Sequence, residues 1–219
     1  MKKQILVALD GSRVSSPVAD WAAARANSLD LGLALVHVVP GEWAYPRAND
    51  RQLELSRAED LLTSEAQRLA AAFPRVGITT QRLSGEPAAT IASLSPAYSM
   101  VVVGTDRGPG TEGQGYGSVS FQVAVTSKSD VAVVPEFAPQ KRSGVVVGVD
   151  GSAESVDALD QGAREAQRLN DELIIVHATG PEIGPAEGGH VLGAAVQRVN
   201  LRVPVRRHEG SPGYHPWPR

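Results

Sequence analysis

A glycine-rich segment followed by hydroxyl side chains is the part of the sequence best suited to chemistry. Six glycines fall between Gly104 and Gly117, and Ser118 and Ser120 follow. Residues without Cβ let backbone N–H groups converge on a phosphate, and a helix N-terminus adds free donors and the positive end of its dipole. The alternative is a flexible surface loop whose serine caps the helix. The place after a parallel strand favours phosphate binding.

Two known phosphate motifs were compared with this segment. A P-loop ends in Gly-Lys-Ser/Thr, and no lysine stands before Ser118, so that motif is excluded. Residues 108–113 match Gly-x-Gly-x-x-Gly. That fingerprint belongs to the first strand–helix turn of a dinucleotide fold, whereas this segment follows the fourth predicted strand. We interpret the match as accidental.

Titratable residues elsewhere give a weaker signal. Asp10 follows the first predicted strand, where it could border a crevice or cap the next helix with Ser12. His37 recurs as His177, and both are expected to be core or hydrogen-bonded residues. The other histidines lack ligand spacing, so no resident metal is expected and Mg²⁺ would arrive with a nucleotide. Since no nucleophile–base pair or paired carboxylates are found, we expect no enzyme beyond slow ATP hydrolysis.

Composition excludes several classes of protein. The chain has 219 residues, 42% of them apolar, with a net charge of −3 and no cysteine. These values exclude a wholly disordered chain, disulfide staples and cysteine-based sites, and they argue against nucleic-acid partners. The apolar run Ile5–Leu9 is too short for a signal peptide or a membrane span. We expect a cytoplasmic protein without a membrane partner.

An internal repeat organises the chain. Asp10-Gly-Ser12 recurs as Asp150-Gly-Ser152, and at this offset of 140 residues 12 of 34 aligned positions between 5 and 38 are identical. A stretch rich in proline and charge lies between the copies. The repeat predicts one domain over residues 1–136, a linker over 137–143 and a second domain over 144–219.

The first copy alternates apolar runs with helical patterns, which predicts an α/β fold with a doubly wound, parallel, five-stranded sheet. Its predicted strands are Ile5–Leu9, Leu33–Val39, Ile78–Leu83, Met100–Val103 and Val131–Val134, and its predicted helices are Ser15–Leu29, Leu53–Phe73, Ala88–Leu94 and Ser118–Thr126.

The second copy is incomplete. After its second strand it keeps a helix predicted around Val191–Val199 and a strand around Leu201–Arg207, and Gly210-Ser-Pro212 corresponds to Gly85-Glu-Pro87. Counterparts of strands four and five and of the glycine-rich segment are absent. The strand at 145–149 should therefore have a bare edge, covered by the first copy or another chain, unless the second copy is a poorly ordered remnant.

With these features the sequence resembles the universal stress protein family in its tandem form. The family's nucleotide-binding members carry Gly-x-x-Gly, nine residues, then Gly-Ser/Thr. Gly104 and Gly117-Ser118 occupy the first and last positions of that pattern, whereas Arg107 replaces the second glycine and Gly108 follows it. The resemblance implies the adenine nucleotide hydrolase-like fold and an ATP site, with Mg²⁺, in the first copy.

Carried over by position, the resemblance implies three groups of contacts. The adenine would be surrounded by Ala8, Leu9, Asp10 and Val38; Val103 and Gly104 would border the ribose; Gly117, Ser118, Val119 and Ser120 would hold phosphate, with Arg107 and Gly108 beside them. We expect a nucleotide-binding stress-response module, dimeric through strand five or through the bare edge of the second copy. The alternative is a nucleotide-free interaction protein whose phosphate loop is closed by Arg107.

Overall fold

The computed structural model describes residues 4–105, 119–135, 143–178, 185–199 and 204–210. The chain divides into two compact units, residues 1–139 and 140–219, which we call the first and second copies.

The first copy is the predicted α/β unit with a parallel sheet in the order β3-β2-β1-β4-β5. Its strands are β1 (Gln4–Ala8), β2 (Gly32–Val39), β3 (Ile78–Ser84), β4 (Met100–Thr105) and β5 (Asp130–Pro135). Its helices are α1 (Ser15–Ser28), α2 (Ala48–Ala72), α3 (Pro87–Leu94) and α4 (Val119–Thr126).

Both faces of this sheet are covered. Alternate side chains of a strand point to opposite faces, so Leu35 joins the core under α1 and α2, while its neighbour Val36 joins the core under α3 and α4. Strands buried on both faces explain why β1 and β2 have continuous apolar sequences.

Helix α2 begins five residues before the predicted start at Leu53. Its first turn is polar and exposed, so apolar periodicity gave no sign of it. The helix also buries a carboxylate that the apolar pattern did not reveal. Glu65 accepts hydrogen bonds from the Ser16 hydroxyl of α1 at 2.6 Å and from the Arg68 guanidinium at 2.7 Å. These partners compensate for burying the charge.

The second copy is partial. It has a parallel sheet in the order β6-β7-β8, from β6 (Val145–Gly148), β7 (Leu173–Ala178) and β8 (Val205–Gly210), with helices α5 (Ala153–Leu169) and α6 (Pro185–Arg198). Helix α6 begins six residues before the predicted Val191, and β8 extends three residues beyond the predicted end at Arg207. Among the described strands, β6 lies at one edge of this sheet. This agrees with the expectation from the sequence, in which counterparts of strands four and five are absent.

Within the described part of the chain, every helix is too short or too polar to cross a membrane.

Candidate functional site

A cavity of about 160 Å³ opens at the carboxyl edge of the first sheet. The ends of β1, β2 and β4 and the first turns of α1, α3 and α4 form its walls. The described lining residues are Ala8, Leu9, Asp10, Val14, Ser15, Val18, His37, Val38, Pro87, Ile91, Val103, Gly104, Val119 and Ser120.

The place of this cavity follows from the strand order. Strand β1 pairs with β2 on one side and with β4 on the other. The chain runs outward from β1 through β2 to β3 and then crosses to β4 on the opposite side of β1. In open α/β sheets, such a switch point forms a crevice at the carboxyl ends of the strands, and ligands bind there. The cavity lies at the switch point of this sheet.

A polar turn borders the cavity where β1 passes into α1. The Ser15 hydroxyl donates to Asp10 Oδ1 at 2.9 Å and accepts from the backbone N–H groups of Gly11 at 3.1 Å and Asp10 at 3.3 Å. The Ser12 N–H also donates to Asp10 Oδ1, at 2.9 Å. Gly11 has φ +77°, a conformation that favours glycine. One buried hydroxyl therefore fixes the carboxylate and the turn together.

Of the two roles left open for Asp10, the structure shows the place at the cavity and not the helix cap. Helix α1 follows Val14, which makes no side-chain cap. Burial raises the pKa of Asp10, but the hydrogen bonds from Ser12 and Ser15 outweigh it, and the pKa lies below its ordinary value. The carboxylate is thus held ionised at the mouth of the cavity.

Close packing at Gly104 joins β4 to α1. A Cβ at this position would lie 3.0 Å from Cγ2 of both Val14 and Val18, which line the same cavity. A larger residue would require these two side chains to shift by a few tenths of an ångström. The glycine therefore lets β4 pack closely against α1 at the wall of the cavity.

Helix α3 supplies another wall and is anchored by a cap. The Glu86 carboxylate accepts from the backbone N–H groups of Ala88 at 3.2 Å and Ala89 at 2.7 Å, and Pro87 occupies the first turn. These interactions fix the start of the helix. They hold Pro87 and Ile91 at the cavity wall.

His37 differs from its counterpart in the second copy. Its Nδ1 is buried without a hydrogen-bond partner among the described residues, and its side chain lines the cavity. His177 is 2% exposed, and its Nδ1 lies 2.7 Å from the Val149 carbonyl oxygen. His177 is thus a hydrogen-bonded core histidine, as expected, whereas His37 is half-buried beside the cavity and its Nδ1 makes no hydrogen bond within the described residues.

Most of the predicted site residues surround this one cavity. They are Ala8, Leu9, Asp10, Val38, Val103, Gly104, Val119 and Ser120. Four others, Arg107, Gly108, Gly117 and Ser118, lie outside the described residues. Sequence reasoning missed Val14, Ser15, Val18, His37, Pro87 and Ile91 as lining residues. The identities of Ser15 with Ser155 and of His37 with His177 in the repeat were signals for these two, whereas the others are ordinary core residues in sequence.

Comparison with known proteins identifies the family. The sequence model of the universal stress protein family matches residues 1–135 and 142–203. The chain belongs to the universal stress protein family. Universal stress protein Rv1996 of Mycobacterium tuberculosis is 31% identical over 90% of this chain and 69% of its own length.

Solved structures of universal stress proteins share the fold. One from Archaeoglobus fulgidus aligns with a TM-score of 0.72 at 21% identity and covers 95% of this chain and 77% of its own. A universal stress protein in complex with cAMP aligns with a TM-score of 0.50 at 23% identity, over 61% of this chain and 97% of its own.

Proposed function

We propose that this universal stress protein binds an adenine nucleotide, ATP with Mg²⁺, in its first copy and acts in the stress response through the bound state. The observation that carries the proposal is the cavity at the switch point of the first sheet, bordered by the start of α4. The complex of a universal stress protein with cAMP supports the choice of an adenine nucleotide. We further propose that the protein acts in the cytoplasm.

The walls suit a heterocycle and a ribose. Backbone and apolar side chains of Ala8, Leu9 and Val38 would surround the adenine beside Asp10, and Val103 and Gly104 would border the ribose. A cavity of about 160 Å³ is small beside the 300–1,000 Å³ typical of complete ligand pockets. The rest of the ligand would therefore extend beyond these walls.

The phosphates would extend toward α4. Val119 and Ser120 stand at the described start of this helix and line the cavity, and the positive end of the helix dipole favours an anion there. We assign phosphate contacts to these two residues and to Arg107, Gly108, Gly117 and Ser118.

Asp10 is the single acidic side chain among the described residues that line the cavity. Mg²⁺ usually binds one or two carboxylates together with substrate phosphates and water. Because Asp10 is assigned beside the adenine, the ion would be held by the phosphates and water, and it would supply charge neutralisation for the phosphates. The described residues hold no cluster of three metal-ligating side chains, so the nucleotide itself would have to complete the coordination.

We infer a binding module and not a metabolic enzyme. The polar side chains that the structure describes at the cavity are Asp10, Ser15, His37 and Ser120. Asp10 and Ser15 are engaged with each other in the turn. The site is assigned to the first copy because β6–β8 and their helices, as far as they are described, provide no counterparts of β4 and α4.

An apolar outer surface favours a second candidate function, a nucleotide-free interaction protein with Arg107 closing the phosphate loop. On α4, Phe121 is 43% and Val125 64% exposed, and on the edge strand β5 Val133 is 42% exposed. An apolar edge of this kind favours pairing with another chain. With either function we propose a homodimer, through β5 or through the outer edge of β6.

Two substitutions separate these functions. If nucleotide binds, Gly117→Val should abolish binding, because a branched side chain blocks the phosphate approach. Arg107→Gly should leave the affinity equal or tighter, because it restores the family's second glycine. Calorimetric titration with ATP and Mg²⁺ measures both. Unchanged affinity in Gly117→Val would contradict this site, and no binding by the unsubstituted chain would favour the interaction protein.

A further inference from the structure

The two helical layers of the first copy differ in charge. Helix α2, on one face of the sheet, has eight charged side chains, whereas α3 and α4, on the other face, have none. Three large apolar side chains of α4 are nevertheless exposed: Val119 at 41%, Phe121 at 43% and Val125 at 64%. A helix without charged residues is normally buried, and an exposed apolar surface of this kind indicates contact with another molecule.

A groove of about 460 Å³ runs between α3 and α4. Small side chains of α3 line one side of it, namely Ala88, Ala89, Ala92 and Ser93, and Val125 of α4 lies on the other side. Small side chains between two helices leave room for side chains of a partner to enter. We call the surface formed by the groove and the outer sides of Pro87–Leu94 and Val119–Thr126 the α3–α4 face.

The groove has opposite charges at its two ends. Of its described lining residues, two are charged: Glu86, which precedes α3, and Lys128, which follows α4. The backbone N–H of Lys128 donates to Ser95 Oγ at 2.7 Å, so Lys128 lies beside the end of α3. The length of α3, about 12 Å for eight residues, therefore separates the two charges. Glu86 accepts its cap hydrogen bonds from neutral backbone N–H groups, and its carboxylate keeps its charge.

We propose that the α3–α4 face binds the same face of a second copy of the chain. A two-fold axis that lies in this face and crosses the groove makes the two grooves antiparallel. Lys128 then meets Glu86 of the partner subunit at both ends, and the exposed Val125 is removed from water. Complementary charges favour this partner and this orientation. The contact is separate from the edges of β5 and β6, and it does not depend on nucleotide binding.

Two valines provide a matched comparison. Sedimentation equilibrium of the full chain should show a monomer–dimer equilibrium. Val125→Asp places a charge in the contact and should raise the dissociation constant of the dimer by about tenfold or more. Val133→Asp changes an exposed valine on the edge strand β5 and should leave this constant unchanged. Far-UV circular dichroism checks that both variants keep their secondary structure.

Exchange of the two charges tests the antiparallel arrangement. Lys128→Glu should weaken the dimer because it brings two carboxylates together, and Glu86→Lys should weaken it because it brings two ammonium groups together. An equimolar mixture of these variants should form a heterodimer, because opposite charges meet again at both ends. Native mass spectrometry identifies the heterodimer. Glu86→Gln keeps an oxygen acceptor for the α3 cap and should also weaken the dimer, which separates loss of charge from loss of the cap.

Several results would overturn the proposal. They are a chain that stays monomeric at every concentration, a dimer that Val125→Asp leaves intact, and a mixture of Lys128→Glu with Glu86→Lys that forms no heterodimer. Loss of the dimer in Val133→Asp but not in Val125→Asp would also overturn it and would assign the contact to the edge of β5.

Discussion

In the second copy, Nδ1 of His177 lies 2.7 Å from the carbonyl oxygen of Val149, whereas Nδ1 of the corresponding His37 is buried without a partner in the described structure. A carbonyl oxygen only accepts hydrogen bonds, so Nδ1 of His177 carries the proton. The two copies therefore contain corresponding histidines whose Nδ1 is hydrogen-bonded in one copy and not in the other. His37 is the member of the pair that lines the cavity.

Leucine substitutions at these two positions should have different effects. His177→Leu removes the hydrogen bond and leaves a buried carbonyl oxygen, which should lower the free energy of unfolding of the second copy by about 1–2 kcal/mol. His37→Leu removes no such bond at Nδ1 and should change the first copy by less than about 1 kcal/mol. Hydrogen exchange of the β6–β7 and β1–β2 amides measures each copy separately. Equal losses in the two copies would contradict this difference.

Ser15→Ala should destabilise the first copy by about 1–3 kcal/mol, because one buried hydroxyl serves Asp10 and two backbone N–H groups. Ser64→Ala is the matched control. The Ser64 hydroxyl is exposed and donates only to the Leu61 carbonyl of its own helix at 3.0 Å, so its loss should cost less than about 0.5 kcal/mol. Urea unfolding followed by Trp21 emission, in a chain that carries Trp43→Phe and Trp217→Phe, compares the variants. Similar midpoints for Ser15→Ala and Ser64→Ala would show that the Ser15 hydroxyl does not stabilise the turn.

The second copy should lose stability at acid pH through Asp150. Hydrogen bonds from the side chain and N–H of Ser152, and then from Ser155, lower its pKa from 3.8 to about 2. Because the folded pKa lies below the unfolded value, the carboxylate stabilises the fold above about pH 3.8, and this contribution is lost as the pH falls toward 2. NMR titration of the Asp150 carboxyl carbon measures the midpoint.

Asp150→Asn is the control for this acid dependence. It should flatten the pH dependence of second-copy stability between pH 4 and 2 without changing that of the first copy. A midpoint near 3.8 in the folded protein would show that the Ser152 hydrogen bonds do not stabilise the carboxylate.

Gly104→Ala should disturb the cavity, because its Cβ would meet Val14 and Val18 at 3.0 Å. Overpacking of this kind costs about 1–3 kcal/mol, and if about half of that cost arises only in the bound state, nucleotide affinity falls about 2- to 10-fold. Gly77→Ala is the control, since a Cβ there meets nothing within 4 Å. Calorimetric titration should separate the two variants. Equal nucleotide affinities of Gly104→Ala and Gly77→Ala would show that Gly104 does not border the bound nucleotide.

The sequence was sufficient to predict the doubly wound sheet, because its strands are buried on both faces and therefore have continuous apolar runs. Gly11 and the identical Gly151 both have positive φ, but the repeat identity was used only to detect the duplication and did not predict this turn. The polar first turn of α2 and the early start of α6 were missed, because helix termini without apolar periodicity leave little pattern to detect.

The candidate site was predictable at the strand ends and, through the family pattern, at the start of α4, but not on α1 and α3. Asp10, Val38 and Gly104 follow or end buried strands, where the switch-point rule applies. Val18 and Ile91 have the spacing of any core residue, and only the packing of α1 and α3 shows that they reach the cavity. The missing bond at His37 depends on a side-chain conformation that sequence identity with His177 does not encode.

The most direct test of the central claim is a nucleotide inventory of the purified protein. The full chain is denatured, any released nucleotide is identified by mass spectrometry, and ATP with Mg²⁺ is then titrated calorimetrically into protein freed of nucleotide. The proposed function predicts an adenine nucleotide in the released fraction, or saturable binding at one site per chain. No released nucleotide and no heat of binding would contradict it.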